Sequence, residues 1–465
     1  MSKYKRLVNN SIVFTIGSFG SKLINFFMVP LYTNVLSTSE YGIVDLIIST
    51  TSLLVPFFTL ALGHAALRLT IDAKNEKEKL EIFNVISIHG IIATVLILIF
   101  SPMILNFLNF ENLGKYFILL LILNTFNDLY SQYVRGIGLI KQFAVNGILM
   151  TIATVTMNIL LLLKYSLGMS GYIVSLLIAV FISNLYLLSA IRRKIKIKLS
   201  SFNKYLYIDM LKFSIPIIPN TLMWWLINGS TRYFVLFFVG ATGNGLLAVA
   251  NKIPSIISMA TNIFTQAWQI SSFEEYESND NNKFQTIIFG LYSSFLFLSG
   301  SFIIVILKPL LSFIIDSSFY ESWQIVPFLV IAVIYQSFSS FLGTNYTASK
   351  STKGTFTTSV YGGIISLISS IILIPKAGVI GAGLSTALSF IGMFIFRAID
   401  TRKFVEISID KIKFIGSNTI IILQTLILFI FNGLFLALFQ VILFLILLVI
   451  NFDIIKMLLN KLFNK

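Results

Sequence analysis

Ile191–Lys212 reads IRRKIKIKLSSFNKYLYIDMLK, seven Lys or Arg in the middle of an otherwise apolar chain. On both sides lie apolar segments of about 20 residues, roughly what an α-helix needs to cross a bilayer core. Lys and Arg near span ends resist translocation, so the stretch is expected on the cytoplasmic side and sets the orientation of the rest. It also splits the chain into halves. The basic run itself reads as a solvated, headgroup-facing connector and not as a ligand site.

Composition agrees: of 465 residues, 56% are hydrophobic and only 11% charged, and the mean hydropathy is +0.89. That is far outside a soluble domain and implies a polytopic membrane protein. The net charge of +15 sits in short loops between apolar spans, which argues against nucleic acid as a partner. There is no cysteine, so disulfides and thiolate chemistry are excluded. The opening MSKYKRLVNN runs into a long span without a small-residue cleavage site and is expected to stay inside as the start of a retained helix.

The apolar runs predict fourteen helices, at about 11–34, 42–67, 83–107, 116–134, 142–163, 170–190, 213–239, 245–270, 284–307, 323–345, 355–374, 380–399, 414–431 and 434–454. With an inside N-terminus, 27 Lys and Arg fall on the cytoplasmic side and four outside, namely Lys115, Lys164, Lys308 and Lys376. Shifting the count by one helix destroys this asymmetry. The expected fold is an all-α membrane protein of two parallel six-helix bundles plus two C-terminal helices. Its divisions are 1–195, a cytoplasmic connector at 196–211, a second bundle at 212–405, and the appended pair at 406–465.

The bundles read as repeats. Setting Gly42 on Gly245, an offset of 203, aligns a long helix, a short outer loop and a glycine opening the next helix; Gly171 on Gly381 gives 210. Four stretches in this order, SKLINFFMVPLYTNVLSTSEYGIVDL, LKFSIPIIPNTLMWWLINGSTRYFVLFFVGATGNGLLAVANKI, FYESWQIVPFLVIAV and LIPKAGVIGAGLSTALS, resemble the Wzx-type polysaccharide flippases. These belong to the multidrug/oligosaccharidyl-lipid/polysaccharide exporter superfamily. The resemblance implies bundles flanking a central cavity and alternating access of a polyprenyl-pyrophosphate-linked glycan for O-antigen or capsule synthesis. It further implies a bacterial cytoplasmic membrane with both termini inside, and membrane lipids and polysaccharide polymerase machinery as partners. The acid usual in the second helix of drug-exporting relatives has no clear match here.

Charges inside spans mark candidate sites, because each costs roughly 2.5–3.5 kcal/mol on insertion scales and should face a cavity or partner. Lys22 lies about twelve residues below the outer end of helix 1, near the midplane. Arg232 and Lys252, on helices 7 and 8, are expected at one depth; an anion such as pyrophosphate would make that tolerable, and snorkelling to headgroups is the alternative. Asp128 in helix 4 matches the depth of Lys22 and is expected to pair with it, structurally or as a coupling group. Asp45, about three residues below the outer surface, is too far from Lys22 to pair. His64 and Arg68, one turn apart, would share a face near the inner end of helix 2, where Arg68 meets pyrophosphate or merely anchors the helix.

Trp224 and Trp225 lie deep in helix 7, and Trp225 aligns with Lys22 under the repeat offset, so it is chosen to stack on sugar; lipid-facing packing is the alternative. Trp323 and Trp268 fit an interfacial belt. Pro56, Pro254, Pro216 and Pro219 are candidate hinges. No metal-ligand cluster, no cofactor motif and no GxxxxGK[ST] loop occurs. The longest outer loop, KPLLSFIIDSSFYES, is about fifteen residues and mostly apolar, poor ground for a membrane glycan polymerase or ligase. Secondary transport of a lipid-linked oligosaccharide is the reading, without enzymatic activity, and ion-coupled multidrug export is the alternative.

Overall fold

The computed structural model describes residues 24, 26–108, 113–194, 202–274, 276, 280–349 and 352–452. Lys22 and residues 196–201 of the 196–211 connector lie outside them. Among the described residues all regular structure is helical. Two compact units form, Met1–Trp225 and Leu226–Lys465. Among the described residues, ten helices are long and apolar enough to cross a membrane, or eleven if one bent pair is a single span. One of the ten, Lys353–Lys403, runs 51 residues, about twice what a bilayer needs.

In the first unit, α1 (Val29–Val35) leads to α2 (Thr38–Phe58). A capping box sets where α2 begins: Ser37 Oγ accepts the Glu40 N–H at 3.2 Å, and Glu40 Oε2 accepts the Ser37 N–H at 2.9 Å. There Tyr32 stacks on Tyr172 at 4.5 Å, and Asn158 Nδ2 donates to Tyr32 Oη at 2.8 Å. The predicted single helix over 42–67 is instead two, α2 and α3 (Leu62–Asp72). Two residues beyond the Pro56–Phe58 end come Leu60 and Ala61, both left-handed, with φ 49° and 52°. The Ala61 N–H reaches back five residues to the Pro56 carbonyl, 3.0 Å. Then follow α4 (Glu76–Leu108), α5 (Gly114–Gly136), α6 (Ile140–Asn158, extended by a π turn to Lys164), α7 (Gly168–Lys194) and α8 (Lys204–Ser214). Helix α5 packs against both α3 and α7. It is not among the ten apolar spans, since Asn124, Asn127, Asp128 and Ser131 interrupt its hydropathy.

Proline also divides the predicted seventh and eighth helices. Helix α9 (Ile218–Asn228) follows a 3-10 turn holding Pro216, and Gly229 separates it from α10 (Ser230–Phe238). Helices α11 (Ala241–Lys252) and α12 (Ser255–Glu274) flank Pro254 and are bent by 47°. The second unit continues with α13 (Asn281–Ile314), α14 (Val326–Ala348), α15 (Thr352–Asp400), α16 (Lys411–Ile430) and α17 (Gly433–Ile450). Within α15, Gly378 at φ 55° and ψ −136° interrupts the helix three residues after Pro375, a conformation open to glycine.

Lipid tails are as apolar as Leu, so packing and interhelical hydrogen bonds hold such units together. Gln285 and Asn345 exchange amide bonds of 2.8 and 3.1 Å between α13 and α14. Gln440 Nε2 donates to the Gln424 carbonyl at 2.8 Å, joining α17 to α16, and Ser301 Oγ donates to Gln424 Oε1 at 2.7 Å, joining both to α13. Trp268 does not belong to an interfacial belt. It is 3% exposed, lies 4.2 Å from Phe341, and donates to Thr344 Oγ1 at 2.9 Å. Its indole N–H finds a partner inside the unit, which removes the usual pull toward the interface. Trp323 has Lys308 Nζ 4.2 Å above its ring.

Candidate functional site

Helix α5 presents Asn124, Asn127, Asp128 and Ser131 at i, i+3, i+4 and i+7, one polar stripe on one face. The stripe opens into a cavity of about 450 Å³ within the first unit, closed by Thr51, Ser52, Val55 and Pro56 of α2 and by Met150, Leu176 and Val180. Asn127 Nδ2 donates to Ser183 Oγ (2.6 Å) and Asn184 Oδ1 (3.0 Å), which fixes its amide with the oxygen turned the other way. Thr51 and Ser52 donate their hydroxyl protons to carbonyls of their own helix, Ile47 and Ser49, at 2.8 and 2.7 Å. What these groups offer the cavity is therefore oxygen lone pairs. With the Asp128 carboxylate they suit a cation or a proton.

The start of α3 holds Asp128 in place. A Cβ on Gly63 would stand 2.9 Å from Asp128 Oδ2 and 3.2 Å from Gln132 Cγ, so a larger residue there would push the carboxylate aside. The break that begins α3 is tied down as well. His89, 2% exposed, bridges the Phe58 carbonyl (Nε2, 3.0 Å) and Tyr207 Oη of α8 (Nδ1, 3.1 Å). A carbonyl only accepts, so the assigned tautomer carries its proton on Nε2 and Nδ1 accepts from the tyrosine. The carbonyl freed at the end of α2 thus has a donor, as helix breaks in membranes require.

The other sequence-marked residues are dispersed. Asp45 lies on α2 and does not line the cavity. Arg68 pairs with Asp72 at 3.3 Å, both more than half exposed, a contact worth about 0–1 kcal/mol. Trp225 donates its indole N–H to the Ser49 carbonyl of α2 at 3.1 Å. Arg232 Nη1 donates to the Asn228 carbonyl at 2.7 Å, the group released where Gly229 parts α9 from α10. Since α11 begins at Ala241, Lys252 lies about 16 Å along its helix from the α10–α11 turn and Arg232 about 9 Å. The offset exceeds one helical turn, and the equal depth read from the sequence came from starting that helix four residues late.

A family model for polysaccharide biosynthesis proteins matches residues 7–269, more than half of the chain. The chain belongs to the polysaccharide biosynthesis protein family. Among curated proteins no relative matches. The fold is similar to that of the lipid II flippase MurJ in an inward closed conformation. Identity is 18%, coverage is 96% of this chain and 99% of that one, and the TM-score is 0.73. An inward-facing multidrug resistance MATE family transporter of the MOP superfamily matches with TM-score 0.68, 13% identity, and 83% and 95% coverage. The Vibrio cholerae MATE transporter VcmN matches at 0.61, with 13% identity and 86% and 96% coverage. The fold is the one these transporters share, and the resemblance to the polysaccharide flippase family holds.

Two sites in this family member escaped the sequence reading. The α5 stripe is legible as periodicity, but in sequence only Asp128 carries a charge that marks it, and the neutral amides beside it carry none. Arg397, near the inner end of the predicted 380–399 helix, is 2% exposed. Its guanidinium donates to the Ser339 carbonyl (2.7 Å), Thr358 Oγ1 (3.0 Å) and Ser359 Oγ (3.1 Å). A Cβ on Gly343 would stand 2.8 Å from Arg397 Nη1. It ties α14 to α15, and the run of Ser and Thr facing it was the available signal.

Proposed function

We propose that this transporter flips polyprenyl-pyrophosphate-linked oligosaccharide repeat units from the inner to the outer leaflet of a bacterial cytoplasmic membrane by alternating access. Fourteen spans and cytoplasmic termini are part of this reading. The observation that carries it is the family match over 7–269; the near full-length likeness in fold to a lipid II flippase supports it. Lys22, Arg232, Lys252 and Arg68 are proposed to meet the diphosphate, Trp225 to stack on sugar, and Asp128 to couple transport to a proton or cation. Asp45 is the lesser coupling candidate. Oxygen-rich walls around Asp128 support that role.

An acid-lined cavity also suits a cationic drug, which keeps multidrug export as the second reading. Deletion and complementation separate the two. Lipid-linked glycan accumulating on the cytoplasmic face of the deletion strain, and cleared when the gene returns, supports the flippase. Unchanged glycan with increased sensitivity to cationic compounds supports export. If Arg232 binds diphosphate, Arg232→Lys keeps only part of the activity, because an ammonium does not reproduce the bidentate fork. Full activity in Arg232→Lys would reduce it to filling the break at Gly229.

A further inference from the structure

Helices α13 and α16 both qualify as membrane spans and start at the same end of the second unit, where two chambers meet between them. The inner chamber, about 230 Å³, is walled by Phe289, Phe297 and Phe414, with Gly290, Ser294 and Ser417 on its small-residue side. Gly290 leaves real space: a Cβ there would have nothing within 4 Å. The outer chamber, about 570 Å³, is polar and lined by Lys283, Arg402 and Glu406. Thr286 and Ser408 border both chambers. The rim is built, since the Ser408 N–H donates to Thr286 Oγ1 at 3.1 Å and the Glu406 N–H to Asn282 Oδ1 at 3.2 Å. These bonds tack the 404–410 linker onto the first turns of α13.

Among the described residues, no ion pair engages the charges of the outer chamber. Ion pairs among the described residues join Arg68 to Asp72, Lys212 to Asp209 and Lys403 to Asp400, and none involves Lys283, Arg402 or Glu406. Asp410, on the inner chamber, is occupied as the cap of α16, accepting the Ile412 and Lys413 N–H groups at 3.1 Å. Two cations and one carboxylate around one chamber complement a headgroup carrying a phosphate and an ammonium. The aromatic chamber beside it complements an acyl chain. We propose that this crevice binds one membrane phospholipid of the phosphoethanolamine type, its phosphodiester on Lys283 and Arg402, its ammonium on Glu406 and a chain segment against Phe289 and Phe297. The site is separate from the Asp128 cavity and does not depend on which substrate the transporter moves.

The test uses the full-length protein in bilayer discs of equal phosphatidylethanolamine and phosphatidylglycerol, extracted into mild detergent and weighed intact. One phosphatidylethanolamine per chain is expected to survive delipidation in preference to phosphatidylglycerol. Lys283→Gln with Arg402→Gln should lower its retention roughly tenfold, the scale of losing charged hydrogen bonds. Gly290→Leu should lower it too, by filling the inner chamber, and Glu406→Gln should abolish the preference over phosphatidylglycerol. Equal retention of the two lipids by the unaltered protein, or no change in both the charge and the Gly290→Leu variants, overturns the proposal. So does thermal stabilisation by inorganic phosphate alone matching that by the lipid.

Discussion

Asp128 and Gly63 form a unit of two residues, one supplying the charge and the other the space for it. A carboxylate inside a span costs a few kcal/mol on insertion scales, so it is retained for what it does in the cavity or for a partner. Asp128→Asn preserves shape and the neighbouring bonds while removing the charge. It should reduce glycan translocation at least about tenfold, with protein abundance unchanged or raised, as measured by surface glycan and immunoblot. Gly63→Ala should act on the same function indirectly. Its methyl group, 2.9 Å from Asp128 Oδ2, displaces the carboxylate or α3, and an intermediate loss of transport is expected. The expected Lys22 to Asp128 pair is tested by combining Lys22→Gln with Asp128→Asn. If the two are partners, the double variant expresses better than either single one, because one buried charge alone is costlier than none.

The break between α2 and α3 joins strain to a clamp. Leu60 and Ala61 sit in the left-handed region, which costs roughly 1–2 kcal/mol per non-glycine residue, and the buried Thr59 hydroxyl has no hydrogen-bond partner among the described residues. Val55 and Pro56, just before the break, line the Asp128 cavity, so motion at the break would reshape it. His89 holds the break closed toward α8. His89→Leu leaves the Phe58 carbonyl unpaired, a cost of about 1–3 kcal/mol, and should lower the melting temperature in detergent; His89→Gln should recover part of it. Ala61→Gly should raise stability by up to about 1 kcal/mol through strain relief. If the break moves during transport, it should also change the transport rate. At this scale the sequence was a good guide to where helices fail, since Pro56, Pro216 and Pro254 each stand at or beside a break. The identity of the clamp was not legible. His89 comes 31 residues after the carbonyl it serves and 118 before the tyrosine it accepts from, and spacing within one helix carries no trace of such pairings.

Across the whole molecule, hydropathy periodicity alone exposed the helical membrane fold, because apolar length and loop charge are properties of single segments. The candidate site was legible only in part: Asp128 stood out as an ion, whereas Asn127, Ser183 and Asn184 acquire meaning from α5 meeting α7. Orientation rests on the asymmetry of 27 cytoplasmic against four outer Lys and Arg, and it is directly measurable because the chain contains no cysteine. Ser317, exposed in the turn between α13 and α14, is a better outer probe than Ser37, whose hydroxyl caps α2 and whose loss would cost about 1 kcal/mol. Ser200 of the basic connector, outside the described residues, is the inner probe. Three predicted spans separate the two positions, so they must face opposite sides. Ser317→Cys should react with a membrane-impermeant thiol reagent in intact cells, and Ser200→Cys only after lysis. The reverse pattern would invert the molecule and place the basic connector outside, against the physics of charged-loop translocation. Labelling of both positions in intact cells would mean that the number of spans between them is even, and the fourteen-span reading would be lost with it.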